Sequence, residues 1–122
     1  MNEPSALNPA AIERLCKLGG DKFAVEMIDL FVSYGGQKVA ETRLAQQAGN
    51  LAGVAEAAHP IKSSAGNVGA LRVQESAARV ELLAREAKAE AVTSQVGELE
   101  RVFSEVTTLL EAEKAKLQPK LA

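Results

Sequence analysis

The clearest pattern lies in the last third of the chain, where Val92, Val96, Leu99, Phe103, Val106 and Leu110 recur at spacings of four and three. That interval keeps one face of a helix apolar, and Val102 and Leu109 broaden the stripe. A second stripe, Leu51, Val54, Ala58, Ile61, Ala65 and Val68, has the same spacing behind Asn50, a candidate N-cap. Between the two, Leu71, Ala78, Val80, Leu82 and Leu83 mark a helix through "VELLAREAKAE", entered by a turn at "NVGALR". Upstream, Phe23, Met27, Ile28, Phe31 and Val32 share a face after Asp21, and the pattern resumes at Val39 and Leu44. Gly35 and Gly36 interrupt it. Each interior glycine costs about 1 kcal/mol relative to alanine, so the pair reads as a weak point in one long helix. At the start, Asn8 and Pro9 suit an N-cap and a first helical position, and Gly19–Gly20 suit a terminus.

Four long helices that each bury one face are satisfied together by an antiparallel bundle with short connections. The expected fold class is therefore all-α, an antiparallel four-helix bundle with a short additional N-terminal helix. At 122 residues the chain has room for one core, so a single domain over residues 1–122 is expected, with flexible ends at about 1–7 and 117–122. Aromatics are only 3% of the chain while hydrophobic residues are 47%, so the core must be aliphatic, as in packed helices. Fourteen basic and sixteen acidic side chains give a net charge of −2 with no basic block. Neither nucleic acid nor a membrane surface is an expected partner. One cysteine, Cys16, and one histidine, His59, exclude an internal disulfide and a His/Cys zinc cluster. With no apolar run of bilayer length and no signal-like start, a cytoplasmic location is expected. A bundle whose stripes all find partners internally suits a monomer.

The lone histidine falls in "AAHPIKSSAGNVGA". One residue past Ala58, His59 lies about 100° off the buried stripe, on a flank open to solvent. Its helical neighbours there are Ala52, Ala55 and Glu56 on one side and Lys62, Ser63 and Gly66 on the other. A solvated helix face usually carries long polar side chains, and a lone surface histidine usually has no task. Here the small residues leave the imidazole clear for the close approach of another protein. Lys62, one turn along, can offset the charge of a phosphoryl group on the ring, by the order of 1 kcal/mol for so exposed a pair. Pro60 lacks the N–H that would bond the Glu56 carbonyl, and a bend at His59 is expected.

The stretch from His59 to Ala70 closely resembles the signature of histidine-containing phosphotransfer (HPt) domains of two-component phosphorelays: His59, aliphatic Ile61, Lys62, small Ser63 and Ser64, then aliphatic Val68, Gly69 and Ala70. The resemblance extends to "LCKLGGDKFAVEMIDLF", similar to the family's first segments, "AGNLAGVAEAAHPIK", similar to its active helix, and "VELLAREA", similar to the helix that follows. It implies a carrier that accepts a phosphoryl group on His59 from a receiver-domain aspartate and passes it to another response regulator. The implied partners are receiver domains and a hybrid sensor histidine kinase. By the same resemblance Lys62 orients the phosphate, and Ala55, Ser63, Gly66 and Gly69 form a partner-docking surface of small residues. Two departures stand out: Ser63 occupies a place where glycine is frequent, and Glu81 one where some members have a glutamine supporting the histidine. Glu81 is thus a candidate support of the imidazole, a carboxylate being able to fix the tautomer while repelling a phosphate, and Glu56 is a second candidate by its place one turn before His59.

The chain has no phosphate-binding glycine loop and no cluster of acidic residues placed to hold magnesium alone. The expectation is a phosphocarrier without kinase activity, with no cofactor of its own and the Mg2+ on the partner receiver. Two readings from other classes stand beside it. One is a helical adaptor that binds a signalling partner through the same small-residue face without phosphate. The other is an enzyme using His59 as general base with Glu56 to orient it, for which local spacing places no nucleophile in the manner of a triad.

Overall fold

The structure, a computed structural model, describes residues 6–118. Four helices follow in order: α1 Pro9–Gln47, α2 Leu51–Asn67, α3 Leu71–Arg85 and α4 Ala89–Leu117. Three-residue connections at positions 48–50, 68–70 and 86–88 turn the chain back each time. Each helix packs on its neighbours in sequence and α1 closes the ring against α4. This is the expected all-helical bundle.

Local chemistry explains where the helices begin. The Asn8 side chain accepts from the Ala10 N–H at 3.1 Å with Pro9 in the first turn, and the Asn50 side chain accepts from the Gly53 N–H at 2.9 Å. The short N-terminal helix exists as the first segment of α1, which breaks at Gly20, where φ is 88° and ψ 173°. L-residues avoid that φ, so glycine sets the break. Gly35 does not interrupt α1. It is buried, and a Cβ there would stand 2.9 Å from the Phe103 ring of α4, so the missing side chain makes room for that ring. Phe103 in turn lies 5.5 Å, centroid to centroid, from Phe31.

The core is aliphatic. Ile28, Val54, Ile61, Val73, Val80, Val96, Leu99 and Leu110 are fully buried, and the two predicted six-residue stripes of α2 and α4 are buried except for Leu51 and Phe103, which are half-buried against the core. The face expected of α3 is wrong in part: Leu71, Ala78 and Leu82 are exposed, whereas Val73, Ser76, Ala77, Val80, Glu81 and Ala84 are buried. The 4-3-4 series Val73, Ala77, Val80, Ala84 seats this helix, and its small alanines favour close packing over apolar bulk. Leu44 and Leu109 also face solvent. Thr42 is buried in α1 instead, its hydroxyl donating to the Lys38 carbonyl at 2.8 Å.

The expected ends need correction. Ala6 and Leu7 pack against the core, and the Asn8 N–H donates to the Gly69 carbonyl at 2.8 Å, tying the N-terminal segment to the α2–α3 connection. At the other end α4 runs on to a buried Leu117. The remainder of those expected ends, 1–5 and 119–122, lies outside the described residues.

Gly49 and Gly69 have the same left-handed backbone, φ 71° and 73°, in different surroundings. A Cβ on Gly49 meets nothing within 4 Å, whereas one on Gly69 would fall 2.5 Å from the Asn8 carbonyl oxygen and 2.8 Å from the Ala11 Cβ. Gly49→Ala is expected to lose about 1–2 kcal/mol of stability. Gly69→Ala should lose a further ~1–3 kcal/mol for the displaced segment. Urea unfolding of both variants measures the difference, and equal losses would show that the Asn8 segment yields without penalty.

Candidate functional site

α2 is seated by Ala58 and Ile61, both at 0% exposure, and this fixes where its other residues point. His59, a step of one residue from Ala58, has its side chain 62% exposed. Ala52 and Ser63 are exposed beside it. Pro60 sits inside α2 without ending the helix.

Beneath the imidazole lies Glu81 of α3, with a side chain only 8% exposed. Its Oε2 is 2.9 Å from His59 Nδ1 and accepts from Arg85 Nη2 at 2.7 Å and Arg85 Nε at 3.1 Å. Its Oε1 is 2.5 Å from Lys62 Nζ. A buried carboxylate without partners would be strongly disfavoured, and here each oxygen is met by a cation. Burial pushes the Glu81 carboxyl up, but the hydrogen bonds from Lys62, Arg85 and His59 outweigh it and bring it down to about 2. Glu81 is therefore ionised near neutrality and can only accept.

That settles the tautomer of a neutral His59 ring. A carboxylate facing Nδ1 requires Nδ1 to carry the proton, so the lone pair resides on Nε2. Nε2 has no partner among the described residues. The arrangement thus offers an oriented nucleophilic nitrogen on an open surface.

The other candidate residues separate. Ser63 is exposed next to His59. Gly66 is half-buried, and a Cβ there would fall 2.9 Å from Gln74 Nε2 of α3, the far end of a flexible side chain. Ala55 is 3% exposed and belongs to the core rather than to the exposed flank. Four residues turn a helix by about 40°, which carries Ala55 toward α3 and Ser63 away from it. With Ala52, Glu56, Ala84 and Arg85, Ala55 lines a groove between the two helices. Gly69 is also misassigned as part of the docking surface: it is buried, and ten residues past His59 places it about 15 Å along the axis. Its task is the left-handed turn against the Asn8 segment. Glu56 is exposed and makes no bond to His59, so of the two candidate supports the structure brings only Glu81 to the ring. Arg85 was missed by the sequence reading. Its signal was the spacing of four from Glu81, which places the two on one helix face.

Among the described residues no group of three or more His, Cys, Asp or Glu side chains is placed to hold a metal ion, and no helix is long and apolar enough to cross a membrane.

Because the folded state holds Glu81 well below the usual carboxylate range, its contribution to stability is complete above about pH 4.5 and is lost as pH falls through about 2. Urea unfolding of the protein and of Glu81→Gln should therefore show a gap that closes between about pH 4.5 and 2. A gap independent of pH would show that the charge of Glu81 adds nothing beyond its shape.

Comparison with known proteins bears on the fold and the family. No curated protein matches the chain in sequence. Two solved structures share its fold. Histidine-containing phosphotransfer protein B from Pseudomonas aeruginosa PAO1 superposes with a TM-score of 0.86 at 22% identity, over 93% of this chain and 98% of the other. A histidine-containing phosphotransfer protein from rice superposes with a TM-score of 0.84 at 16% identity, over 97% of this chain and 86% of the other. The sequence model of the Hpt domain matches residues 26–116, a span that starts within α1, contains the whole of the His59–Glu81 pair and reaches the last turn of α4; the chain belongs to the Hpt domain family.

Proposed function

We propose that His59 is the phosphoacceptor of a phosphorelay carrier: its Nε2 takes a phosphoryl group from the aspartyl phosphate of one receiver domain and gives it to the aspartate of another response regulator. The observation that carries this reading is the His59 Nδ1 to Glu81 contact at 2.9 Å on a ring that is otherwise open to solvent. One nitrogen is fixed as donor, and the other is presented as nucleophile.

Transfer begins with the Nε2 lone pair aligned on the phosphorus opposite the aspartate oxygen that leaves. Ser63 and Ala52 leave space for a convex partner surface around the ring. Lys62, with its side chain 33% exposed, is close enough to turn from Glu81 toward the phosphoryl oxygens and offset part of their charge. The open site supports a division of labour in which the receiver supplies the Mg2+ and the alignment, while this chain supplies the nitrogen. A hybrid sensor histidine kinase is the source of phosphoryl groups such a carrier calls for. No ATP chemistry is assigned to this chain.

His59→Gln is expected to fold as the parent does, since the side chain is exposed, and to accept no phosphoryl group. The test is transfer of radiolabel from a phosphorylated receiver domain, followed by acid and alkali treatment of the product. Label that is lost in acid, survives alkali and is absent from the variant supports the carrier. Absence of label from receivers that are competent with another carrier would sink it and favour an adaptor that uses the same face.

A further inference from the structure

A glutamine at position 81 could accept the same hydrogen bond from His59 Nδ1 with no charge to bury. The protein instead keeps an ion there and surrounds it with Lys62 and Arg85. What a carboxylate supplies and an amide does not is stabilisation of a positive ring. Phosphoryl transfer creates one: the Nε2 lone pair forms the new N–P bond, the P–O bond to the aspartate breaks with its electron pair going to the aspartate oxygen, and the Nδ1 proton stays. The product is an N-phosphorylimidazolium.

The two oxygens of Glu81 are partnered unequally. Oε2 holds both His59 Nδ1 and the Arg85 guanidinium, whereas Oε1 holds Lys62. Lys62 can therefore leave without disturbing the oxygen that bears on the ring. We propose that Glu81 is the counter-ion of the phosphorylated ring, holding phospho-His59 in its Nδ1-protonated form, and that Arg85 keeps Glu81 in place when Lys62 turns to the phosphoryl group. Both are positioning residues, and the proposal rests on His59 being the phosphoacceptor. The consequence is chemical. From the protonated ring a neutral imidazole leaves when the next aspartate attacks, whereas the deprotonated ring would have to leave as imidazolate. Glu81 thus extends to higher pH the range in which the phosphoryl group stays transferable.

The charged groups around the pair are few. Lys62 comes from α2 and Arg85 from α3; Glu56, one turn before His59, is exposed and bonds to neither partner. Among the described residues α1 and α4 contribute no ion pair to the cluster.

Phosphoramidate phosphorylates imidazole directly and so makes the test independent of partner identity. In 15N-labelled protein treated with it, the Nδ1 proton of phospho-His59 is followed by NMR as pH is raised. It should be lost about one pH unit higher in the parent than in Glu81→Gln, a roughly tenfold difference in proton affinity, with Arg85→Gln in between. The alkaline limb of transfer to a receiver should move with it. Coincident midpoints in the parent and Glu81→Gln would overturn the proposal. Should Glu81→Gln fail to fold, the parent is compared with the phosphorylated peptide of residues 57–62, and a midpoint no higher than the peptide's is equally fatal. Failure of His59 in the parent to take any phosphoryl group, from phosphoramidate or receiver, would instead remove the phosphoacceptor reading on which the inference rests.

Discussion

A charged carboxylate on the buried face of α3 is the constraint around which the site is organised. Removing an ion from water is disfavoured by several kcal/mol unless partners replace the solvent, and Glu81 obtains its partners from two helices. Lys62 and His59 reach it from α2, three residues apart, and Arg85 reaches it from one turn further along α3. A one-residue change in the rotation of α2 would swing both of its donors by about 100° and strand the ion. The ion cluster and the aliphatic core therefore demand the same rotation of α2. Ala58 and Ile61 turn inward while His59 and Lys62 meet Glu81 at the rim.

That shared register gives the imidazole its combination of freedom and order. An exposed histidine would ordinarily sample several rotamers and both tautomers, and a buried one would be ordered but unreachable. His59 is 62% exposed, yet one of its nitrogens is anchored to Glu81, which is itself held by burial and by bonds from Lys62 and Arg85. The small residues on the same face add to this. Ala52 and Ser63 are exposed, and neither has the length to cover the ring. Pro60 leaves the Glu56 carbonyl without its helical N–H, at a residue exposed enough for water to replace it.

Much of this was legible in the order of residues. The stripes of α2 and α4 follow a three-four spacing without exception, and both asparagine caps and the break at Gly19–Gly20 sit where turn chemistry requires them. Hydropathy misled where bulk and burial part company. On α3, Leu71 and Leu82 face solvent while Ser76 and Glu81 are buried, so the most apolar residues did not mark the packed face. Glu81 was named as a candidate support of the imidazole only through a resemblance; no local pattern says that a carboxylate 22 positions away will lie under the ring. Arg85 was missed for a related reason, since an i, i+4 ion pair on an exposed helix is commonplace until its carboxylate proves to be buried. Gly69 shows the opposite error. It belongs to the motif by position, but the backbone places it in a turn, where it receives the Asn8 segment.

The open geometry also bears on what the site leaves to others. Enzymes that move phosphoryl groups alone enclose the reacting atoms and supply cations to the oxygens in flight. Around His59 the described residues leave an open surface with a nucleophile and two cations, Lys62 and Arg85, both engaged to Glu81. On the carrier reading, a surface of that kind holds the phosphoryl group between partners and leaves the alignment of an incoming acceptor to them. In that reading alignment depends on docking, and the same exposed Nε2 of His59 would serve a donor receiver and an acceptor receiver in turn, since no other described residue touches that nitrogen. Within the carrier reading, the direction of flow is set by the relative stability of the acyl phosphates on the two partners. The quantity this chain can adjust is the charge state of its own ring, and the residue placed to adjust it is Glu81.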